Sequence, residues 1–327
     1  MTLAEHYLES NGDLPPLHLK CPWPDFCAAD PERYAKKETN GKNMKDKTVV
    51  ITGATSGLGR ATALQLAQKG ASVVIIARSN TKANEAIKEI KKEGGKAQCI
   101  ISDLSSMQDT KEAAESITKV VDRLDVLINN AGAYFPKYRK TSEGFESTLA
   151  LNYLSPFLFT HHLIEKMEQI ASEHGEARII NISSIMHKRP INWDDLNYKE
   201  TTYNSSSAYE QSKHLLTSFT YYLSRKLKET GITVNCIHPG FVKTALAQSD
   251  FPFPMNVIVP IVGLLIGETP EQAADTPVWL ASSNEVKGIN GEYVHHRKVK
   301  ESWPPTRDEN AQTRLYNVTQ SMLGEWL

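Results

Sequence analysis

The sequence predicts an α/β domain: a single doubly wound parallel sheet with helices on both faces. Three observations carry this. Short apolar runs alternate with longer stretches of helical spacing from Lys47 to Val294, the pattern of strand, helix, strand. The runs are mostly apolar rather than apolar at every second residue, as strands covered on both faces tend to be. The first run passes directly into a glycine-rich turn that opens a helix.

The elements follow in order. Thr48–Thr52 is a short buried strand. Leu58–Gln68 is a helix, closed by Gly70. Ser72–Ala77 is the second strand, and Asn80–Glu93 a charged amphipathic helix ended by Gly94 and Gly95. Ala97–Ile101, Ser106–Val121 and Val126–Asn129 read as strand, helix and strand. A long helix over 145–172 is expected to bend near Pro156. Ala177–Ser183 is the fifth strand, Ala208–Glu229 a helix and Thr233–His238 the sixth strand. Pro270–Ala281 is a helix, and Gly291–Val294 a last short strand. Residues 45–327 thus form one domain, with a C-terminal extension over 295–327. Residues 1–44 carry Pro15, Pro16, Pro22, Pro24 and Pro31 and read as an irregular arm.

Composition narrows the function classes. The formal net charge is −1, from 37 basic and 38 acidic residues, which gives no basis for a nucleic-acid partner. Four cysteines, Cys21, Cys27, Cys99 and Cys236, are too few and scattered for a disulfide framework. No secretory signal or transmembrane run is visible, so a cytoplasmic location is expected. The pairs His161-His162 and His295-His296 lack an i, i+4 partner, and no metal is expected.

The turn Gly53-Ala-Thr55-Ser56-Gly57-Leu58-Gly59 sits between a strand and a helix at the start of a βαβ unit. Glycines there let backbone N–H groups approach a pyrophosphate, and the helix N-terminus adds partial positive charge. This is the dinucleotide cradle of a Rossmann-type fold. The second strand ends at Ala77-Arg78 with no acidic residue to bind a ribose 2′-OH. Arg78 instead suits a 2′-phosphate, so NADP(H) is expected over NAD. Asp103 and Leu104 follow the third strand. Asp103 suits the adenine amino group or, alternatively, the cap of the next helix.

Tyr209 and Lys213 are four apart on one predicted helix and share a face. An ammonium beside a phenol favours the phenolate, which is how a tyrosine becomes a usable acid/base. Alone, such a pair is common on helix surfaces; beside a dinucleotide cradle it points to proton transfer.

These residues together resemble the short-chain dehydrogenase/reductase family. Thr52-Gly53 through Gly59, Asn129-Asn130-Ala131-Gly132, Asn152 in Leu-Asn-Tyr, Ser184 in Asn-Ile-Ser-Ser, Tyr209-x-x-x-Lys213 and Pro239-Gly240-Phe-Val242-Lys-Thr244 match its motifs in order. The resemblance implies that Tyr209 is the general acid/base and that Lys213 lowers its pKa and holds the nicotinamide ribose. It implies that Ser184 orients the substrate oxygen, with Ser183 a competitor for that role, and that Asn152 holds a water on a proton path. Asn130, Ala131, Gly132, Pro239, Gly240, Val242 and Thr244 would line the cofactor.

Within the family the chain is most similar to the retinol dehydrogenase branch, by the long gap between Ser184 and Tyr209 and by Gly291-Glu-Tyr-Val, Trp303 and Arg314-Leu-Tyr-Asn-Val. It departs in carrying the Pro-rich arm where many such enzymes have a membrane anchor. The apolar stretch 241–267 reads as a lid over a lipophilic alcohol, aldehyde or ketone; core packing and contact with a membrane surface are the alternative readings. Two competing functions remain at this point: a membrane-associated retinoid or steroid dehydrogenase, and an NADP-sensing scaffold without chemistry. A homo-oligomer is common in the family, but no surface of this sequence specifies one.

Overall fold

The computed structural model describes residues 43–242 and 267–327. The expectations placed on the arm, on Thr244 and on the interior of the apolar stretch lie outside the described residues.

β1 (Thr48–Thr52), β2 (Ser72–Ala77), β3 (Lys96–Ile101), β4 (Val126–Asn129), β5 (Ala177–Ile182), β6 (Ile232–Ile237) and β7 (Tyr293–His295) are parallel. β8 (Lys298–Lys300) folds back antiparallel on β7. The order is β3-β2-β1-β4-β5-β6-β7-β8. Chain order therefore reverses between β1 and β4, where a sheet of this kind opens a crevice beyond its strand C-termini. Ile76 pairs with Thr52 and Ile182 with Ile237, so these C-termini emerge along one edge.

Side chains alternate between two cores, because successive strand residues point to opposite faces. Val50, Leu127, Ile179 and Val234 pack beneath α3 (Met107–Val120), α4 (Ser155–His174), α5 (Ser205–Lys226) and α8 (Glu309–Leu323). Val49, Ile51, Val126, Ile128 and Ile180 pack beneath α1 (Gly57–Gln68), α2 (Asn80–Lys92), the short α6 (Pro270–Ala273) and α7 (Asp275–Ser282). Both faces are covered, as the continuous apolar runs require. No helix among the described residues is long and apolar enough to cross a membrane.

Four differences from the sequence reading matter for the site. The single helix expected over 145–172 is a short turn, Ser147–Leu149, then a π-helical turn, Ala150–Leu154, then α4. Pro156 lies in the first turn of α4, which continues from the π-turn; it cannot donate to the Asn152 carbonyl one turn back, and the irregularity falls there, near Pro156 as expected. π-turns of this type cluster at functional sites. α5 begins at Ser205 rather than Ala208, because Asn204 accepts a hydrogen bond from the Ser207 N–H at 2.9 Å and caps it. The helix expected over 270–281 divides at Ala274 into α6 and α7.

The fourth difference is that β8 and α8 organise the C-terminal extension. α8 lies over α4 and α5. Leu315, Tyr316 and Leu323 are buried. The Tyr316 ring stacks on Tyr222 with centroids 4.3 Å apart, and the Thr319 and Tyr153 hydroxyls are 2.7 Å apart. With α8 in place, α5 is buried from Ser207 nearly to its end.

Candidate active site

The glycine turn joins β1 to α1. Gly53 and Gly57 have φ of +66° and +52°, a region that side chains rarely adopt. A Cβ at Gly53 would fall 2.9 Å from Ala131 Cα, so the turns after β1 and β4 touch. They are also stitched together. The Thr52 hydroxyl accepts from the N–H groups of Asn130 and Ala131, both at 2.9 Å. The Asn130 amide donates to the Thr52 carbonyl at 2.8 Å and to the Gly53 carbonyl at 3.2 Å. Asn130 thus shapes the cradle.

The N-terminus of α1 is suited to an anion. Ser56 is extended and its hydroxyl caps no backbone N–H, whereas α2, α3, α5 and α8 are capped by Ser79, Ser106, Asn204 and Asp308. The first turn of α1 also holds no acidic residue, so its free N–H groups and positive end are open to a pyrophosphate. Thr55 and Ser56 are accessible there, while Leu58 and Gly59 are buried. Arg78, at the end of β2, is exposed and has no hydrogen bond or ion pair among the described residues. These features fit a dinucleotide with a phosphate at its adenosine end.

Asp103 does not cap α3. Its Oδ1 accepts from the Ser105 N–H and hydroxyl at 3.0 and 2.8 Å, and the cap is Ser106. Leu104 is buried in the core. Asn129 turns away from the cofactor edge: its amide donates to Thr160 at 2.9 Å and to Asn181 at 2.8 Å, beneath α4 and α5.

Ser184, Tyr209, Lys213 and Asn152 come together beyond β4 and β5. Of the two serines, Ser183 points inward, with its hydroxyl 2.7 Å from that of Thr217. Ser184 is partly exposed; its Oγ accepts from the Met186 N–H at 3.1 Å, and its hydroxyl hydrogen-bonds with Tyr209. Tyr209 and Lys213 share a face of α5, with Lys213 Nζ 5.7 Å from the Tyr209 ring centre. Lys213 Nζ donates to the Ile182 carbonyl at 2.9 Å. A Cβ at Gly132 would lie 3.2 Å from Asn152 Oδ1 and 3.4 Å from Lys213 Nζ. A side chain at this position would have to displace one or both of them by a few tenths of an ångström.

The Asn152 side chain is committed to structure. Its Oδ1 accepts from the Ala133 N–H at 2.9 Å, and its Nδ2 donates to the Ala133 carbonyl at 3.0 Å and to Ser212 at 3.1 Å. Both amide hydrogens are used, so the side chain pins the loop after β4, while one lone pair of its Oδ1 remains.

Burial governs the electrostatics of Tyr209 and Lys213. Burial pushes the Tyr209 phenol up to about 12, opposed by hydrogen bonding with Ser184. Burial also brings the Lys213 ammonium down to about 8. Desolvation is the largest cause for both groups, because each charged form is costly where it is buried. A pH dependence follows. The Lys213 charge is present below about 8 and is lost as pH rises through it. If turnover at this site relies on that charge, kcat/KM should be level at neutral pH and fall above about pH 8; a profile level through pH 10 would contradict this.

Several residues at the site lacked a sequence signal. The Tyr134 ring lies 5.9 Å from that of Tyr209, and its hydroxyl is 2.6 Å from that of Ser205 at the start of α5. Tyr134 follows the Asn-Asn-Ala-Gly motif by two residues, the one hint available. After β6, Gly240 has φ +84°, and a Cβ there would meet Glu268 Oε2 at 3.3 Å. Val242 forms a β-bridge with Glu268, so the two ends of the apolar stretch meet beside Pro239 and Gly240. His295 and His296 are not isolated: their rings stack 3.6 Å apart, His295 stacks on His238 at 3.9 Å, and His296 pairs with Glu268 at 3.1 Å.

Comparison with known proteins supplies the context for this arrangement. A family model described as short chain dehydrogenase matches residues 47–253. Human retinol dehydrogenase 14 is 37% identical over 298 residues, covering 86% of this chain and 87% of its own. Human polyprenol dehydrogenase is 33% identical over 284 residues, covering 85% and 86%. Among solved structures, a putative NAD(P)-dependent gluconate 5-dehydrogenase from Beutenbergia cavernae, with NADP bound at low occupancy, aligns with a TM-score of 0.62 at 26% identity. It covers 78% of this chain and 96% of its own.

Proposed function

Because the chain belongs to the short-chain dehydrogenase family and, within it, to the retinol dehydrogenase branch, we propose that it is an NADP(H)-dependent oxidoreductase interconverting a lipophilic alcohol and its aldehyde or ketone. The observation that carries this reading is the convergence of Ser184, Tyr209 and Lys213 at the edge of the sheet that holds the glycine turn. When bound, the nicotinamide cofactor supplies or accepts the hydride.

The chain's own residues do the rest. Ser184 donates a hydrogen bond to the substrate oxygen and orients it. Tyr209 is protonated at neutral pH and gives its phenolic proton to that oxygen in reduction; in oxidation it takes the proton back. Lys213, held on the Ile182 carbonyl, places a positive charge beside the phenol when Tyr209 becomes a phenolate. Asn152 and Gly132 fix the neighbouring backbone. Thr55, Ser56 and the α1 N-terminus hold the pyrophosphate, and Arg78 holds the 2′-phosphate. Pro239, Gly240, Val242 and Thr244 border the nicotinamide in this reading. Retinol and polyprenol, named for the two human relatives, are isoprenoid alcohols, which supports a lipophilic substrate. Free Cys99 and Cys236 suit a reducing, cytoplasmic setting.

The test is NADPH oxidation with all-trans-retinal and a series of long-chain aldehydes and ketones, repeated with NADH. Turnover with NADPH is expected; no turnover with either cofactor across the series would overturn the reading. Arg78→Ala should weaken NADPH binding by about 1.5–3 kcal/mol, the range for a charge-assisted hydrogen bond, and leave NADH binding unchanged. Equal effects on both would remove the 2′-phosphate assignment.

A further inference from the structure

The backbone carbonyl of Ser184 receives two hydrogen bonds. His187 Nδ1 lies 2.7 Å from it, and the Tyr293 hydroxyl donates to it at 3.3 Å. The other nitrogen of His187, Nε2, lies 3.0 Å from the Trp303 N–H. These partners fix the imidazole. A carbonyl only accepts, so Nδ1 carries the hydrogen; a backbone N–H only donates, so Nε2 is a bare lone pair. His187 is 1% exposed, and burial, joined by the charges of His214 and Lys188, holds it down to about 4. The neutral ring therefore persists through the physiological range. Its face lies against Tyr293, centroids 4.9 Å apart.

Ser184 needs such support because the sheet stops before it. β5 ends at Ile182, and the last neighbour along this strand is the Ser183 N–H, bonded to the Ile237 carbonyl at 2.7 Å. Beyond that point the backbone of Ser184 is held by His187 and Tyr293. Trp303, on the far side of His187, leads into the turn Pro304–Arg307, and its ring meets His214, the neighbour of Lys213 on α5, at 5.4 Å. The C-terminal extension thus touches both the serine loop and the helix that carries Tyr209 and Lys213.

We propose that His187 is the positioning residue of Ser184, holding the serine against the C-terminal extension through Trp303. This rests on the reading of Ser184 as the group that orients the substrate oxygen. His187 does not meet substrate; it acts by placing the Ser184 hydroxyl, and an error of about 1 Å in such placement costs on the order of 100-fold in rate.

Two substitutions separate its two nitrogens. His187→Asn keeps an amide near the Nδ1 position and can still donate to Ser184. His187→Gln puts its amide near the Nε2 position and keeps the Trp303 contact alone. With NADPH and all-trans-retinal or decanal, His187→Asn should retain kcat within about threefold, and His187→Gln should lose about 10- to 100-fold, with KM for NADPH unchanged in both. Their thermal midpoints should agree, since each retains one of the two contacts. On a Ser184→Ala background, His187→Gln should cause no further loss.

Equal kcat for the Gln variant and the parent, or a full additional loss on the Ser184→Ala background, would overturn the proposal. If Ser184→Ala itself leaves kcat intact, the reading of Ser184 fails first. If Ser184→Ala is crippled and His187→Gln is not, the present inference alone fails. A measurement free of turnover is the nitrogen NMR spectrum of histidine-labelled protein, with His187 assigned by its loss in His187→Asn. A neutral Nδ1–H ring is expected from pH 8 to below pH 6; an Nε2–H ring, or titration at the ordinary histidine value, would overturn the assignment.

Discussion

Tyr209→Phe should lower kcat by about 10²- to 10⁴-fold, the usual contribution of a positioned general acid, and leave the fold intact. The substitution removes one oxygen. The ring that packs 5.9 Å from Tyr134 stays, as does the buried path of α5. The removed hydroxyl is buried, with Ser184 as the side chain that hydrogen-bonds with it, so stability should change by no more than about 1 kcal/mol. NADPH affinity should also be preserved, because the phosphate cradle is built on β1 and α1. The measurement is kcat with NADPH and a lipophilic aldehyde, alongside NADPH titration by fluorescence and a thermal melt. Retained turnover would show that the proton comes from elsewhere. Loss of turnover together with loss of the fold would assign Tyr209 a structural role.

Gly59→Ala should strike cofactor binding by a different route. A Cβ there would sit 2.6 Å from the Gly53 carbonyl oxygen and 3.1 Å from Ala54 Cα, and would run into the Asn130 amide. The first two are backbone and cannot swing aside. The third is the amide that ties the Thr52 and Gly53 carbonyls to the turn after β4. The methyl group therefore pushes α1 away from its turn, at a cost of about 1–3 kcal/mol as overpacking usually does. The same displacement moves the N–H groups proposed to meet the pyrophosphate, so NADPH binding should weaken by roughly one to two orders of magnitude. Isothermal titration with NADPH reads the second effect and a denaturant melt the first. Unchanged NADPH affinity would mean that this turn is not the phosphate cradle.

Much of the fold was legible because most of its strands are buried on both faces. Val49 to Thr52 and Val73 to Ala77 are apolar or β-branched throughout, Ala177 to Ile182 is so apart from Arg178 and Asn181, and each emerged as a strand at nearly the expected bounds. The glycine turn and the Tyr209–Lys213 pair were legible because each is a local pattern whose spacing carries its chemistry. What escaped depended on distant partners. Lys298-Val-Lys300 has no strand signal of its own and exists as β8 by pairing with β7. The π-turn at Asn152 reflects bonds to Ala133 and Ser212. The roles of His187 and Tyr293 arise where segments more than 100 residues apart meet at one carbonyl. For Tyr209 the sequence exposed the charge of Lys213 but not the burial around both groups, which raises the phenol and lowers the ammonium.

The packing of α8 over α4 and α5 has a consequence for how the chain is made. α5 leaves the ribosome early, and the helix that covers it is translated only after everything from Lys226 to Glu309. At ~5–20 residues per second that interval lasts several seconds. Throughout it, Phe219 and Leu223 on α5 and Phe157 on α4, all buried in the finished protein, lack their cover. The Ser184 loop likewise waits for Trp303. Until α8 arrives the apolar faces of α4 and α5 lack that cover, so yield is expected to depend on the pace of translation between Lys226 and Glu309.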